Sequence, residues 1–332
     1  MFRMLRGSRK WDDILRVGPC CGHVGVTGQS SVRASFIRDQ IRDYMGQWAS
    51  VRLFMLDKSV TICPSLAALE ILFKRSDRSN SSDKLGNTVI LGSRSLSLTA
   101  NGPFSATPYS VVEVNYLAAR LETEPKVAET LKSAERNSVL ENSRILHLTA
   151  HGTFERQSPL LASIEFKDPI RVMDLGNLKL QADLVVFRAC VSGLGRYTDT
   201  DDMTGFAHML LKSGANAFIG SLWNTSDRFN ALLMMGFYKA LSNKTTPTSV
   251  AKALALAQKE LYTMDSEKLE KLVNKLLDDY EDPEMVKHMI RPNFSCENYI
   301  EGLELEDSKD RYKDPCHWAP FVVIGNGEVK PS

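Results

Sequence analysis

The run Leu184-Val-Val-Phe-Arg-Ala-Cys190-Val-Ser-Gly193 decides how this chain is read. Residues 184–189 form a near-continuous apolar strand, the kind buried on both faces of a parallel sheet. The strand ends in a cysteine among small residues. A second run, Ile145-Leu-His-Leu-Thr-Ala-His151-Gly152, has the same design and ends in a histidine. In an open parallel sheet, reactive groups gather at the carboxyl ends of the strands. Parallel strands here would bring His151 and Cys190 to one edge.

The surrounding sequence supports such a sheet. Strand candidates at 88–91, 144–150, 161–166, 184–189 and 217–222 alternate with helical stretches at 110–121, 126–136, 202–212 and 226–241. That alternation predicts an α/β sandwich with helices on both faces of a mostly parallel sheet. Ser110 with Glu113 three residues on matches a capping box. Upstream, 51–56 is a short apolar strand candidate, 61–73 mixes strand and helix character, and 76–84 is a polar loop. A further helix is expected over 248–262. Residues 265–315 are charge-dense, with one helix before Pro283, and read as an insertion before the chain re-enters the core at 318–324.

A free thiol has a pKa of about 8.5 and is mostly protonated at neutral pH. An adjacent imidazole can take its proton and later return it to a leaving amine. Cys190 and His151 are thus a candidate nucleophile and base. Gly152 leaves room for its backbone N–H to approach a substrate carbonyl, so the N–H groups of Gly152 and Cys190 are the oxyanion-hole candidates. His147, on the same strand as His151, reads as a packing residue.

Bulk properties narrow the alternatives. The 332 residues are 43% hydrophobic and 24% charged, with a net charge of +1. That balance gives no electrostatic case for nucleic acid or a membrane surface. No apolar run approaches the roughly 18 residues of a membrane span. The six cysteines form no regular framework, which fits reduced thiols in a cytoplasmic protein. Cys20-Cys21-Gly22-His23 and Cys316-His317 lack the ligand pairing of a metal site, and residues 25–30 lack the lysine and glycine spacing of a phosphate loop. No metal or cofactor is expected. The basic start, MFRMLRGSRKW, reads as a frayed or truncated terminus rather than an organellar presequence.

Several motifs, in order, resemble one family. These are CPSLAAL (63–69), VILGS (89–93), VVEVNYLAARLE (111–122), HLTAHG (147–152), DLVVFRACVSGLG (183–195), TGFAHMLLKSGANAFIGSLWNTSD (204–227) and HWAPFVVIG (317–325). Together they are similar to the CHAT domain, a caspase-fold module of the separase-like cysteine peptidase superfamily. The resemblance implies a caspase-like three-layer sandwich over 51–328 and a Cys190–His151 dyad, while the segment at 1–50 reads as irregular or truncated. Arg188 stands where the caspase signature has glutamine, so the kinship is one of fold. Separases have a similar Leu-Trp-x-x-x-Asp segment that contributes to arginine recognition. By that likeness Asp227 is the expected partner of a basic residue before the cut, because a guanidinium fork suits a carboxylate. Asp202, in the acidic loop with Asp199 and Asp201, is a second substrate-binding candidate. The implied activity is a cysteine endopeptidase acting on a protein or peptide. The alternative is an inactive CHAT module that signals by assembly with a repeat-containing or sensor partner.

Overall fold

The apolar runs become the interior of one sheet. The structure is a computed structural model. It describes residues 58–79, 88–92, 98–99, 102–103, 108–124, 126–127, 133–153, 159–166, 168–188, 196–197, 203–222, 227–265, 267–268, 271–272 and 315–330. These all fall in one unit, Met55–Ser332. The strands are β1 (Thr61–Ile62), β2 (Thr88–Gly92), β3 (Leu98–Thr99), β4 (Gly102–Pro103), β5 (Lys126–Val127), β6 (Ile145–Thr149), β7 (His151–Gly152), β8 (Ser163–Glu165), β9 (Ile170–Arg171), β10 (Leu184–Arg188), β11 (Arg196–Tyr197), β12 (Met203–Thr204), β13 (Ala217–Ser221) and β14 (Phe321–Gly325). The helices are α1 (Leu66–Ser79), α2 (Pro108–Arg120), α3 (Ser133–Glu141), α4 (Val172–Leu175), α5 (Phe206–Ser213), α6 (Asp227–Leu241), α7 (Val250–Thr263) and α8 (Pro315–Trp318).

Among the described residues, the main sheet has seven strands in the order β1-β14-β13-β10-β6-β2-β5. Every neighbouring pair is parallel except β13 with β14. β2, β6, β10, β13 and β14 are buried along their whole length, in keeping with their largely apolar sequences. Short antiparallel ribbons pair β3 with β4 and β11 with β12, and β7-β8-β9 form a small separate sheet.

Two neighbouring residues of β10 show that helices cover both faces. The Phe187 ring meets Phe206 of α5 edge-on at 4.9 Å. Arg188 turns the other way and reaches Glu113 of α2 and Asp227 of α6. Successive side chains of a strand point to opposite faces, so α5 covers one face and α2 with α6 the other. α2 packs against β2 and α6, and α6 against α7. Gly92 permits the close approach of α2. A Cβ there would lie 2.6 Å from Val114 Cγ2.

At the amino edge, polar side chains fasten the strand starts. Arg144 Nε donates to Asp183 Oδ2 at 2.9 Å, and Asn216 Nδ2 donates to Asp183 Oδ1 at 3.0 Å. The residues before β6, β10 and β13 are thus tied through one buried carboxylate. On α7, Gln258 donates to the Phe321 carbonyl at 3.0 Å and holds β14.

The observed elements correct several expectations. Residues 126–136 are not one helix: Lys126–Val127 pair with Leu91–Gly92, and α3 begins only at Ser133. α1 runs to Ser79, through part of the expected loop. The helix expected from 202 begins at Phe206. α2 begins at Pro108, so Ser110 is not its cap, and Glu113 faces the core rather than the helix start. The strand candidate at 51–56 lies outside the described residues, as does most of 265–315.

Candidate active site

β6 and β10 lie side by side in register, with Leu184 level with Ile145 and Arg188 level with Thr149. His151 follows Thr149 by two residues, and Cys190 follows Arg188 by two. The strands leading to both residues therefore end level, at the carboxyl edge of the sheet. Cys190 and Asp202 lie outside the described residues. For His151 the backbone is described.

That backbone leaves the main sheet. After Thr149 the chain enters β7, where His151 pairs with Glu165 and Gly152 with Ile164, antiparallel. One residue on, the Thr153 N–H donates to the Ser163 carbonyl at 2.9 Å. Hydrogen-bonded and non-hydrogen-bonded pairs alternate along an antiparallel ladder. Gly152 is then the non-bonded position, and its N–H turns away from β8. Among the described residues β7 is the edge strand of its small sheet, so that N–H faces away from the sheet.

Beneath this edge lies a buried polar chain. His147 Nε2 is 2.8 Å from Glu113 Oε1, with both side chains fully buried. Arg188 Nε sits 3.0 Å from Glu113 Oε2, close enough for an ion pair. The other end of the Arg188 guanidinium reaches Asp227, pairing with Oδ1 and donating to the main-chain carbonyl at 2.8 Å. Asp227 Oδ2 accepts the Tyr109 N–H of α2 at 2.9 Å. The Tyr238 ring packs edge-on against His147 at 5.4 Å. Burial holds the Tyr238 phenol well above its ordinary range, and the nearby Glu113 charge adds to this. Burial also raises the Asp227 carboxyl, while Arg188 and the Tyr109 N–H pull it back.

The structure therefore gives Asp227 a partner within the chain, which sequence reasoning did not foresee. Its side chain keeps 20% of its exposure, against 3% for Arg188 and none for Glu113. Of these three charged groups, Asp227 comes nearest the surface. Glu113 was also missed as a member of the site. A usable signal was its place in the apolar stripe of α2, four and eight residues before Leu117 and Leu121, both buried. An acid in such a stripe requires a buried partner.

Among the described residues, no group of three His, Cys, Asp or Glu could hold a metal ion, and no helix is long and apolar enough to cross a membrane.

The sheet order and the covering helices define a caspase-like α/β sandwich. The CHAT domain model matches residues 40–326, and the chain belongs to the CHAT domain family. No curated protein matches it. Among solved structures, the Saccharomyces cerevisiae separase–securin complex matches with 14% identity over 62% of this chain and 13% of that one, at a TM-score of 0.43. The Arg-specific cysteine proteinase gingipain R matches with 12% identity over 78% of this chain and 52% of that one, at 0.44. A complex of the pro- and mature domains of Porphyromonas gingivalis RgpB gives 14% identity, the same coverage, and 0.46. The chain spans about half or less of each of these solved chains.

Proposed function

We propose that this CHAT domain is a cysteine endopeptidase that cleaves after a basic residue. The observation that carries the reading is the level ending of β6 and β10, each two residues short of His151 and Cys190. His151 takes the thiol proton, and the Cys190 sulfur attacks the peptide carbonyl. The carbonyl oxygen becomes an oxyanion held by the N–H groups of Gly152 and Cys190. The tetrahedral adduct then expels the amine, which receives the proton from His151. Water, deprotonated by the same imidazole, hydrolyses the thioester and restores the thiol.

Charge and hydrogen-bonding capacity support Asp227 as the contact for the basic residue. Glu113 and Asp227 supply two carboxylates against the one guanidinium of Arg188. The excess negative charge reaches the surface only through Asp227. Each of its oxygens accepts one described hydrogen bond, leaving further acceptor capacity for a substrate guanidinium. Asp202 serves as an auxiliary acid in the loop after the cysteine. The natural substrate is a protein or peptide, and a repeat-containing or sensor protein is the expected partner.

The test is labelling with an arginyl-ketone affinity probe together with cleavage of arginyl fluorogenic peptides. Labelling should vanish in Cys190→Ala and fall sharply in His151→Ala. Asp227→Asn should lower kcat/KM for arginyl peptides about 10- to 100-fold, the worth of one charge-assisted hydrogen bond. Labelling that survives Cys190→Ala removes the peptidase reading. Absence of all labelling and cleavage leaves the module as an interaction domain.

A further inference from the structure

Glu113 touches both strands that lead into the site. One oxygen contacts His147 on β6, four residues before His151. The other contacts Arg188 on β10, two residues before Cys190. The carboxylate belongs to neither strand. It is carried by α2, which the missing side chain at Gly92 lets close onto β2 next to β6. His147 is level with Val186, so Glu113 spans from that register position to the next inward-facing one at Arg188.

We infer that Glu113 is a positioning residue that braces β6 and β10, already hydrogen-bonded to each other, against α2 and so holds their carboxyl ends in place. The inference rests on the peptidase reading for its catalytic consequence, though not for its geometry. Burying a carboxylate and a guanidinium carries a desolvation penalty that well-packed apolar residues of similar volume would avoid. Ion pairing here adds direction where apolar packing would not. Glu113 meets one nitrogen of a ring and one of a guanidinium, each from a different strand, and Arg188 passes the constraint on to Asp227 and the start of α6. The same guanidinium thus links the brace to the acid proposed to bind substrate.

Two measurements on the full chain test the brace. In the first, His151→Cys is oxidised with glutathione disulfide, and the cross-link to Cys190 is quantified by peptide mapping. A disulfide forms only where the two Cα atoms come within about 7 Å. The cross-link should form readily in His151→Cys and at least about tenfold more slowly once Glu113→Gln is added, as expected of a site loosened by about an ångström. In the second, Glu113→Gln with His151 intact should lower kcat on arginyl peptides about 10- to 100-fold and leave KM within about threefold, because the loss falls on the reacting geometry. Asp227→Asn should instead raise KM. Should Glu113→Gln fail to fold, Glu113→Gln with Arg188→Met and Asp227→Asn leaves no stranded charge and serves in the cross-linking measurement.

An unchanged cross-linking rate in the Glu113 variant overturns the brace, as does a parent His151→Cys that forms no cross-link. A cross-link that depends on Glu113, in a chain that cleaves no peptide, upholds the brace and removes the peptidase reading alone. Unchanged kcat in Glu113→Gln, with cleavage intact in the wild type, removes the brace alone.

Discussion

Replacing Arg188 by methionine isolates the cost of the buried charge chain. The guanidinium lies 3.0 Å from Glu113 and also pairs with Asp227. At that separation, a single pair is worth about 5.5 kcal/mol in a medium of effective dielectric about 20. Most of this offsets the cost of desolvation, so the intact network adds little net stability. Arg188→Met removes the attraction and leaves the desolvation in place. Glu113 then stays fully buried without its cation, a loss of about 3–5 kcal/mol. That is a large share of the roughly 5–15 kcal/mol available to a folded domain. Urea unfolding at neutral pH, followed through the fluorescence of buried Trp318, should show the midpoint falling accordingly. Adding Glu113→Gln and Asp227→Asn to Arg188→Met removes the stranded carboxylates and should restore most of the loss. A decrease under about 1 kcal/mol for Arg188→Met would place the pair among solvent-screened surface bridges and refute the reasoning.

Two further outcomes concern packing and titration. Gly214 closes α5 at φ +128°, and a Cβ there would lie 2.1 Å from the Leu180 carbonyl oxygen. Gly214→Ala should therefore cost more than about 2 kcal/mol by thermal unfolding. Gly236→Ala, inside α6 with its nearest neighbour at 3.4 Å, should change stability by less than about 1 kcal/mol. Tyr238 keeps its proton in the folded state above the ordinary value of 10.0, because burial and the Glu113 charge oppose ionisation. The folded state then holds more protons than the unfolded one above that pH, so stability falls as pH rises past it. Tyr238→Phe should lose this alkaline decline, and denaturation curves for the two proteins that fall in parallel would contradict the assignment.

The core of the fold was legible because strands buried on both faces must be apolar throughout, and 88–92, 145–149, 184–188 and 217–221 carry that signature with few interruptions. The direction of β14 was not legible. An apolar strand reads the same whether its neighbour is parallel or antiparallel. Residues 126–127 have ordinary helical composition, and only pairing with β2 makes them an edge strand, so tertiary context overrides local preference. The Ser110–Glu113 pattern misled for a related reason. The spacing fits a capping box, yet the same spacing places Glu113 on the inward face of α2, where His147 and Arg188 claim it. Within the site, sequence reasoning proposed the reactive residues from their positions at strand ends. It could not find the charges beneath them, because Glu113, Arg188 and Asp227 lie far apart in the chain and meet only through the sheet.

β14 has a consequence for how the chain is made. Among the described residues, Thr61 and Ile62 pair only with Val323 and Ile324, and β13 also pairs with β14 along its whole length. During synthesis, the first described strand must wait until β14 has left the ribosome. β2, β6, β10 and β13 can assemble earlier, but one side of β13 stays unsatisfied in the nascent chain. An open strand edge of that kind is a natural ligand for chaperones and for other unfinished copies. Completion of this sheet therefore waits on β14, and premature termination anywhere in the charged segment before it would leave the edge permanently exposed.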